Sequence, residues 1–518
     1  MTLGELTKSR FRAAALVLFA ILFVTNLYRA ATQSMVHDEA LTWQLYLSGP
    51  ASAIFHDYSP NHHFLATILF RISTTFFGPS EFAMRLPTVL AGAWFFWTVF
   101  RLCGLIFGDG WLFLLGCAAL SLNPILLDFL VAARGYGLAM AGLFWAMYQM
   151  LCWFQDRSNG VAEKALHQRL WKAALGCAIA VASNNIFLVP VFVLAAAFCA
   201  LLLKKTETNG PLAAAPVAKT RKKSKKAKPE FAREAGRSYT SFTHFMVPVI
   251  ILAVAFVLAA PIDLARSEDL YAGTPTAIKS LRNLMEVSFA YGSRAGALER
   301  IERIWSGIAS IFLPVVAIGA LILVAMNTRL QRSVLGLATL FSSLAVVGSA
   351  VLLTAAHLVS GIPYPEDRTG IYFVPLATLA ALGFARILAE GPGFPRWVGI
   401  AVALVLASFA LEFAAQWNVN SFWVWRYDAD TKRVFEALEG VPKPAGQIRL
   451  GVSWVFEPAL NYYREVRNAT WLAPVLRDGF DGARQFYVVS SMDQSLPALP
   501  KLRPIYRGPV SNTLLAIP

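Results

Sequence analysis

Cysteine, acidic charge and glycine-rich phosphate loops are what this sequence has least of. Its five cysteines, Cys103, Cys117, Cys152, Cys177 and Cys199, fall in or beside apolar runs, and none forms a Cys-x-x-Cys pair. That excludes a disulfide scaffold or a Cys-rich zinc framework and reads them as small core residues. Neither G-x-G-x-x-G nor a Walker sequence occurs, so no nucleotide loop is signalled. No internal repeat is visible. Charged residues make up only 15% of the chain.

Apolar residues fill the space these absences leave. The 518 residues are 57% hydrophobic, with a mean hydropathy of +0.53. A soluble domain of that size has too little interior to hide so much apolar surface, so the chain reads as an all-α polytopic membrane protein. A span needs about 20 apolar residues. Stretches 11–31, 85–107, 111–130, 135–154, 171–184, 186–203, 245–262, 305–326, 334–358, 370–389 and 397–415 meet or approach that length, giving about eleven spans. The weakest is 171–203, which reads as one long helix or as two joined tightly at Asn184–Asn185.

Basic charge decides between these. The net charge is +15, and 204–237 alone holds eleven Lys or Arg against three Glu. With the N-terminus inside, eleven spans put every basic loop in the cytoplasm, whereas one helix over 171–203 would put 204–237 outside. The hairpin is therefore expected. The 204–240 loop, rich in Lys, Ala and Pro, reads as disordered and lipid-contacting. It lacks the interleaved aromatics that would stack nucleic acid, so no nucleic-acid partner is expected. The start of the chain resembles a signal peptide, but no cleavage site precedes Asp38, and an uncleaved first helix is expected.

Three segments then lie outside: 32–84, 263–304 and 416–518. Within the first, 64–77 (FLATILFRISTTFF) suits a helix lying in the interface. The last is strand-like at 447–453, 484–491 and 511–518 and helical at 457–468, which predicts a small α/β domain outside the membrane, after a transmembrane domain over 1–415.

Polar chemistry concentrates in the first outer loop. "SMVHDEALTW" sets His37, Asp38 and Glu39 side by side, and His56-Asp57 and Asn61-His62-His63 follow. Four of the chain's seven histidines lie between positions 37 and 63. The loop reads as wet polar surface or as a site. Asp38, Asp57, His62 and His63 offer ligands suited to Mn²⁺ or Zn²⁺, in no fixed zinc spacing. Asp38 is the better catalytic group, a carboxylate placed to accept a proton from an attacking hydroxyl, with Glu39 orienting or solvating. Arg134, in "AARGYGL", is a snorkelling helix end or an anion receptor. Arg85 and Arg294 are weaker cases of the same kind. In "GIPYPEDRTGIYFVPL", Arg368 and Tyr372 are interface anchors or phosphate ligands.

"HDEA", "FGPSEFAMRLPTVLAG" and "ARGYGL", in that order over roughly residues 34–140, resemble the GT-C membrane glycosyltransferases. The closest look is to the branch with the lipid A aminoarabinose transferase and to the protein O-mannosyltransferases. The resemblance implies a sugar carried on a polyprenyl phosphate and transferred, with inversion, to a lipid, glycan or protein acceptor outside the cytoplasmic membrane. It makes Asp38 the catalytic carboxylate, with His37 and Glu39 in support. Arg134, Arg368, Tyr372, His62 and His63, or a metal, would hold the donor phosphate. One departure stands out: where that branch has Glu-Lys-Pro-Pro, this chain has "PNHHFL", so His62 or His63 takes the place of the lysine, as a cation or a metal ligand. Two other readings remain: a transporter or flippase using Asp38 and the histidines as an ion relay, and a scaffold whose tail binds envelope components. Polar clusters at one face, without repeats, favour the enzyme.

Overall fold

The computed structural model describes residues 9–203, 227–261, 264, 273–291, 297–391, 394–443, 446–480, 484–494 and 501–518. The helices begin with α1 (Arg10–Thr32), α2 (His37–Thr42), α3 (Ala53–His56), α4 (Phe64–Phe77), α5 (Glu81–Phe107), α6 (Trp111–Ser121) and α7 (Pro124–Phe129). They continue as α8 (Tyr136–Ser158), α9 (Glu163–Ser183), α10 (Leu188–Leu203), α11 (Ala227–Ala259), α12 (Ala277–Phe289) and α13 (Ala297–Met326). Then come α14 (Val334–Ser360), α15 (Phe373–Glu390) and α16 (Arg396–Ala415). Among the described residues nine helical stretches are long and apolar enough to cross a membrane. Only helices satisfy every backbone group within one segment in lipid, and the chain is a multi-pass helical membrane protein.

Two of the expected spans differ from the rest. Stretch 111–130 is a broken pair, α6 and α7, because Asn123 caps α7: its Oδ1 accepts from the Ile125 and Leu126 amides at 3.2 and 3.3 Å, and Pro124 follows. Stretch 171–203 is two helices, as the basic bias requires. Asn184 is extended, and its side chain accepts from the Ile186 amide at 3.2 Å. The Ala133 amide donates to Glu39 at 2.6 Å, and a Cβ on Gly135 would lie 1.8 Å from the Ser183 carbonyl. Residues 39, 133 and 183 are therefore brought close together, setting the turn after α7 and the end of α9 beside α2. Helix α4 is too short to span; it exposes Ile72, Phe76 and Phe77 and buries Ala66 and Phe70. The basic stretch 204–226 and Arg294 lie outside the described residues, and α11 begins within 204–240.

The tail folds as α17 (Thr431–Gly440), β1 (Leu450–Val452), α18 (Glu457–Val466), β2 (Phe486–Val489), β3 (Arg503–Arg507) and β4 (Leu514–Ile517). The sheet order is β1-β2-β4-β3, with β1 and β2 parallel across the α18 crossover and the other pairs antiparallel. Strand β3, absent from the sequence reading, is an exposed edge carrying Pro504, where a missing amide is tolerated. The tail shares one core with the loop after α1: Met35, Ala40, Trp43 and Tyr46 pack with Phe435, Leu460, Tyr462 and Tyr463.

Candidate functional site

The segment after α1 is tied down before it presents any chemistry. Glu39 reaches back from α2 to the Val36 amide at 3.2 Å, a carboxylate on a helix start. The His37 amide donates to Asp428 at 2.8 Å, and His37 Nδ1 donates to the Val455 carbonyl at 2.7 Å. The Met35 amide donates to the Tyr463 hydroxyl at 2.8 Å. Thus His37 is held by the tail. The Asp428 carboxyl, buried beside His37, is pushed well above the usual carboxylate range by that burial.

The adjacent acids, Asp38 and Glu39, have separate surroundings. Glu39 is fully buried and forks onto Arg85, whose Nε donates at 2.9 Å. Arg85 also donates to the Gln33 and Ser34 carbonyls at 2.8 and 2.6 Å. Arg85 is thereby spent on structure, and its reading as an anion receptor is corrected: every guanidinium nitrogen has a protein acceptor.

Asp38 faces a different pair. Its Oδ2 stands 3.2 Å from Arg368 Nη2 and 3.7 Å from Arg134 Nη2. That oxygen is buried and accepts no hydrogen bond, and Arg134 Nε, His62 Nε2 and His63 Nε2 are likewise buried without a partner. Burial pushes the Asp38 carboxyl up, but Arg134, Arg368 and His37 outweigh it and hold it below the usual carboxylate value. Asp38 is thus a buried anion between two cations. Arg368 lies 5.7 Å from the centre of the Trp425 ring. Asn61 donates to the Asp38 carbonyl at 2.8 Å, fixing the 57–63 loop against α2.

The histidines of "PNHHFL" line this group without carrying charge. His62 stacks on Tyr46, ring centres 4.2 Å apart, and burial pulls its pKa down to about 4. His63 sits 5.2 Å from the Tyr136 ring; burial and then the Arg134 charge hold it well below the usual imidazole value. Burial thus favours the neutral form of both rings. The proposed metal ligands are not gathered. Asp57 is exposed at the end of α3, and no three His, Cys, Asp or Glu side chains among the described residues are placed to hold a metal. Tyr372 stands apart, with its ring against Phe187 and Phe373.

An apolar groove lies beside these elements. Helices α9, α10 and α11, with Leu65 of α4, enclose about 910 Å³ lined by Leu175, Asn185, Leu188, Phe192 and Phe256 among others. Its Leu65 lies two positions after His63 and its Asn185 two after Ser183, and Gly135, next to Arg134, packs closely on both Ser183 and His63. A side chain at position 135 would meet backbone, so glycine is what allows this approach. In the sequence Asn61 stands out only as part of the polar loop, and Trp425 and Asp428 do not stand out; the run of aromatics "SFWVWRY" after the last span was the available signal.

No family model and no curated protein matches the chain. Solved structures similar to it include ArnT from Cupriavidus metallidurans bound to undecaprenyl phosphate, at 12% identity over 97% of each chain, with a TM-score of 0.46. Another is the oligosaccharyltransferase AglB from Archaeoglobus fulgidus in complex with an inhibitory peptide and a dolichol-phosphate. It is 11% identical over 92% of this chain and 69% of that one, with a TM-score of 0.39. The Archaeoglobus enzyme in complex with Zn and sulfate gives 11% identity, 92% and 68% coverage and a TM-score of 0.40.

Proposed function

We propose that the protein is an inverting glycosyltransferase that moves a sugar from a polyprenyl-phosphate donor to a lipid, glycan or protein acceptor of the cell envelope. Its place is the cytoplasmic membrane, with the N-terminus inside and residues 416–518 outside, following the basic-loop bias. One observation carries the reading: a buried Asp38 oxygen without a hydrogen bond, set between two guanidinium groups. A polyprenyl tail suits the groove, and a phosphate suits the guanidinium forks.

Asp38 takes the proton of the acceptor hydroxyl. The hydroxyl oxygen attacks the anomeric carbon from the face opposite the phosphate. The bond from that carbon to the phosphate oxygen breaks, and its electron pair leaves with the phosphate, whose charge Arg134 and Arg368 receive. A single displacement inverts the anomeric centre. The side chains around Asp38 do not form a metal-ligand set, so no step is assigned to a metal. Mass spectrometry of envelope glycolipids and glycans, with the protein and with Asp38→Asn, tests the reading. A glycoform that vanishes in both the deletion and the variant supports it; a glycan profile unchanged on deletion refutes it.

A further inference from the structure

Arg368 reaches Asp38 from a loop that α12 splints along its length. The Thr274 and Tyr364 backbones exchange hydrogen bonds at 2.9 Å, and Ser280 Oγ donates to the Pro365 carbonyl at 2.5 Å. Gly370 packs so closely on Leu284 that a Cβ there would sit 2.5 Å from Leu284 Cδ2. At the centre, Asn283 forms a reciprocal pair with the residue before Arg368. Its Nδ2 donates to Asp367 Oδ1 at 2.9 Å, and its Oδ1 accepts from the Asp367 amide at 2.6 Å. Asp367 has φ 47°, in the left-handed region that non-glycine residues adopt only at a cost. Both of its polar handles in that conformation are held by one amide side chain.

We infer that Asn283 is a positioning residue for Arg368: it holds Asp367 left-handed, and so aims the guanidinium at the point where a phosphate ester is bound. The inference rests on the proposed function, because it takes Arg368 as a phosphate ligand. An extended Asp367 would re-aim the next side chain; Thr369 Oγ1, accepting from the Glu366 amide at 2.7 Å, brackets the turn, and Asn283 holds the residue inside it.

Undecaprenyl phosphate binding to the full-length protein in detergent tests this with four variants. Arg368→Ala should weaken binding about tenfold or more, the loss of one charge-assisted contact. Asn283→Ala should weaken it by a similar or smaller factor. Adding Asn283→Ala to Arg368→Ala should change nothing further. The exchanged pair, Asn283→Asp with Asp367→Asn, restores both hydrogen bonds and should restore binding, which separates aiming from general folding. Normal binding by Arg368→Ala overturns the phosphate role of Arg368 itself. A loss with Arg368→Ala but none with Asn283→Ala overturns the positioning role alone, as does a further loss in the double variant or a failed rescue by the exchanged pair.

Discussion

Removing the charge from Asp38 and from Glu39 in turn should give opposite phenotypes. Glu39 shares a fully buried ion pair with Arg85, and its two oxygens also accept from the Val36 and Ala133 amides. Glu39→Gln leaves a buried guanidinium without its counter-charge and turns an NH₂ group toward donors. Breaking such a pair costs about 3–5 kcal/mol, and this one sits where α1, α2, α5 and the 133 loop meet. Asp38 is bound more loosely, at 3.2 and 3.7 Å, its side chain is 12% exposed, and Oδ2 accepts no hydrogen bond. Asp38→Asn should therefore cost less, about 1–3 kcal/mol, while lowering transfer by about 10²–10⁴-fold as the base is lost. Thermal unfolding in detergent measures the first quantity, and transfer from a labelled polyprenyl-phosphate sugar measures the second. A Glu39→Gln protein as stable as the parent would refute the clamp. An Asp38→Asn protein that keeps full transfer would refute the base.

Two other outcomes follow from the lining of the site. Ala178 of α9 lines the apolar groove, and Ala178→Trp should obstruct it, raising the KM for long-chain polyprenyl donors by about tenfold or more while leaving short-chain donors unaffected; equal effects on both would separate the groove from the lipid tail. His62 is neutral in the fold with a pKa of about 4 and takes a proton near 6.5 when unfolded. The unfolded chain thus binds more protons, and stability falls as pH drops between those values. His62→Phe keeps a ring on Tyr46 and should make the pH dependence of the melting temperature shallower, with His63 leaving a residual slope; an unchanged slope would show that His62 has the same pKa folded and unfolded.

Much of the fold was legible because lipid leaves the chain few choices: apolar length marked the helices, and basic loops separated α9 from α10. The boundary inside 111–130 was written in Asn123-Pro124, a helix-start signal hidden in a run apolar enough to read as continuous. Strand β3 was missed because its exposed, proline-bearing edge carries none of the alternation that marks a half-buried strand. At the site, residue types were legible and pairings were not. Glu39 meets Arg85 across 46 positions and the Ala133 amide across 94, and a single sequence contains nothing that matches one distant charge to another. That is why Arg85 read as a free cation and Glu39 as a helper of its neighbour. It is also why Asn61, Trp425 and Asn283, ordinary in composition, became visible only once the loops were brought together.

The pairing of Asp38 with both arginines sets a conflict that the donor can resolve. A carboxylate held below its usual pKa is a weak base, yet it is asked to take a hydroxyl proton. The groups that depress it, Arg134 and Arg368, are also the groups a donor phosphate would engage. When phosphate draws the two guanidinium groups onto itself, their pull on Asp38 weakens while burial, which pushes its pKa up, remains. Asp38 then becomes more basic at the moment an acceptor hydroxyl must lose its proton. The sign can be checked in pH profiles. The acid limb of kcat/KM reports Asp38 in the free protein and that of kcat reports it with donor bound. Both limbs show activity lost as pH falls, and the kcat limb should lie at the higher pH. Arg368→Ala removes part of the depression before donor arrives, so it should raise the kcat/KM limb and narrow the gap. Coincident limbs in the parent, or a kcat limb at the lower pH, would mean that the arginines stay on Asp38 throughout the reaction and that the leaving phosphate is held by other groups.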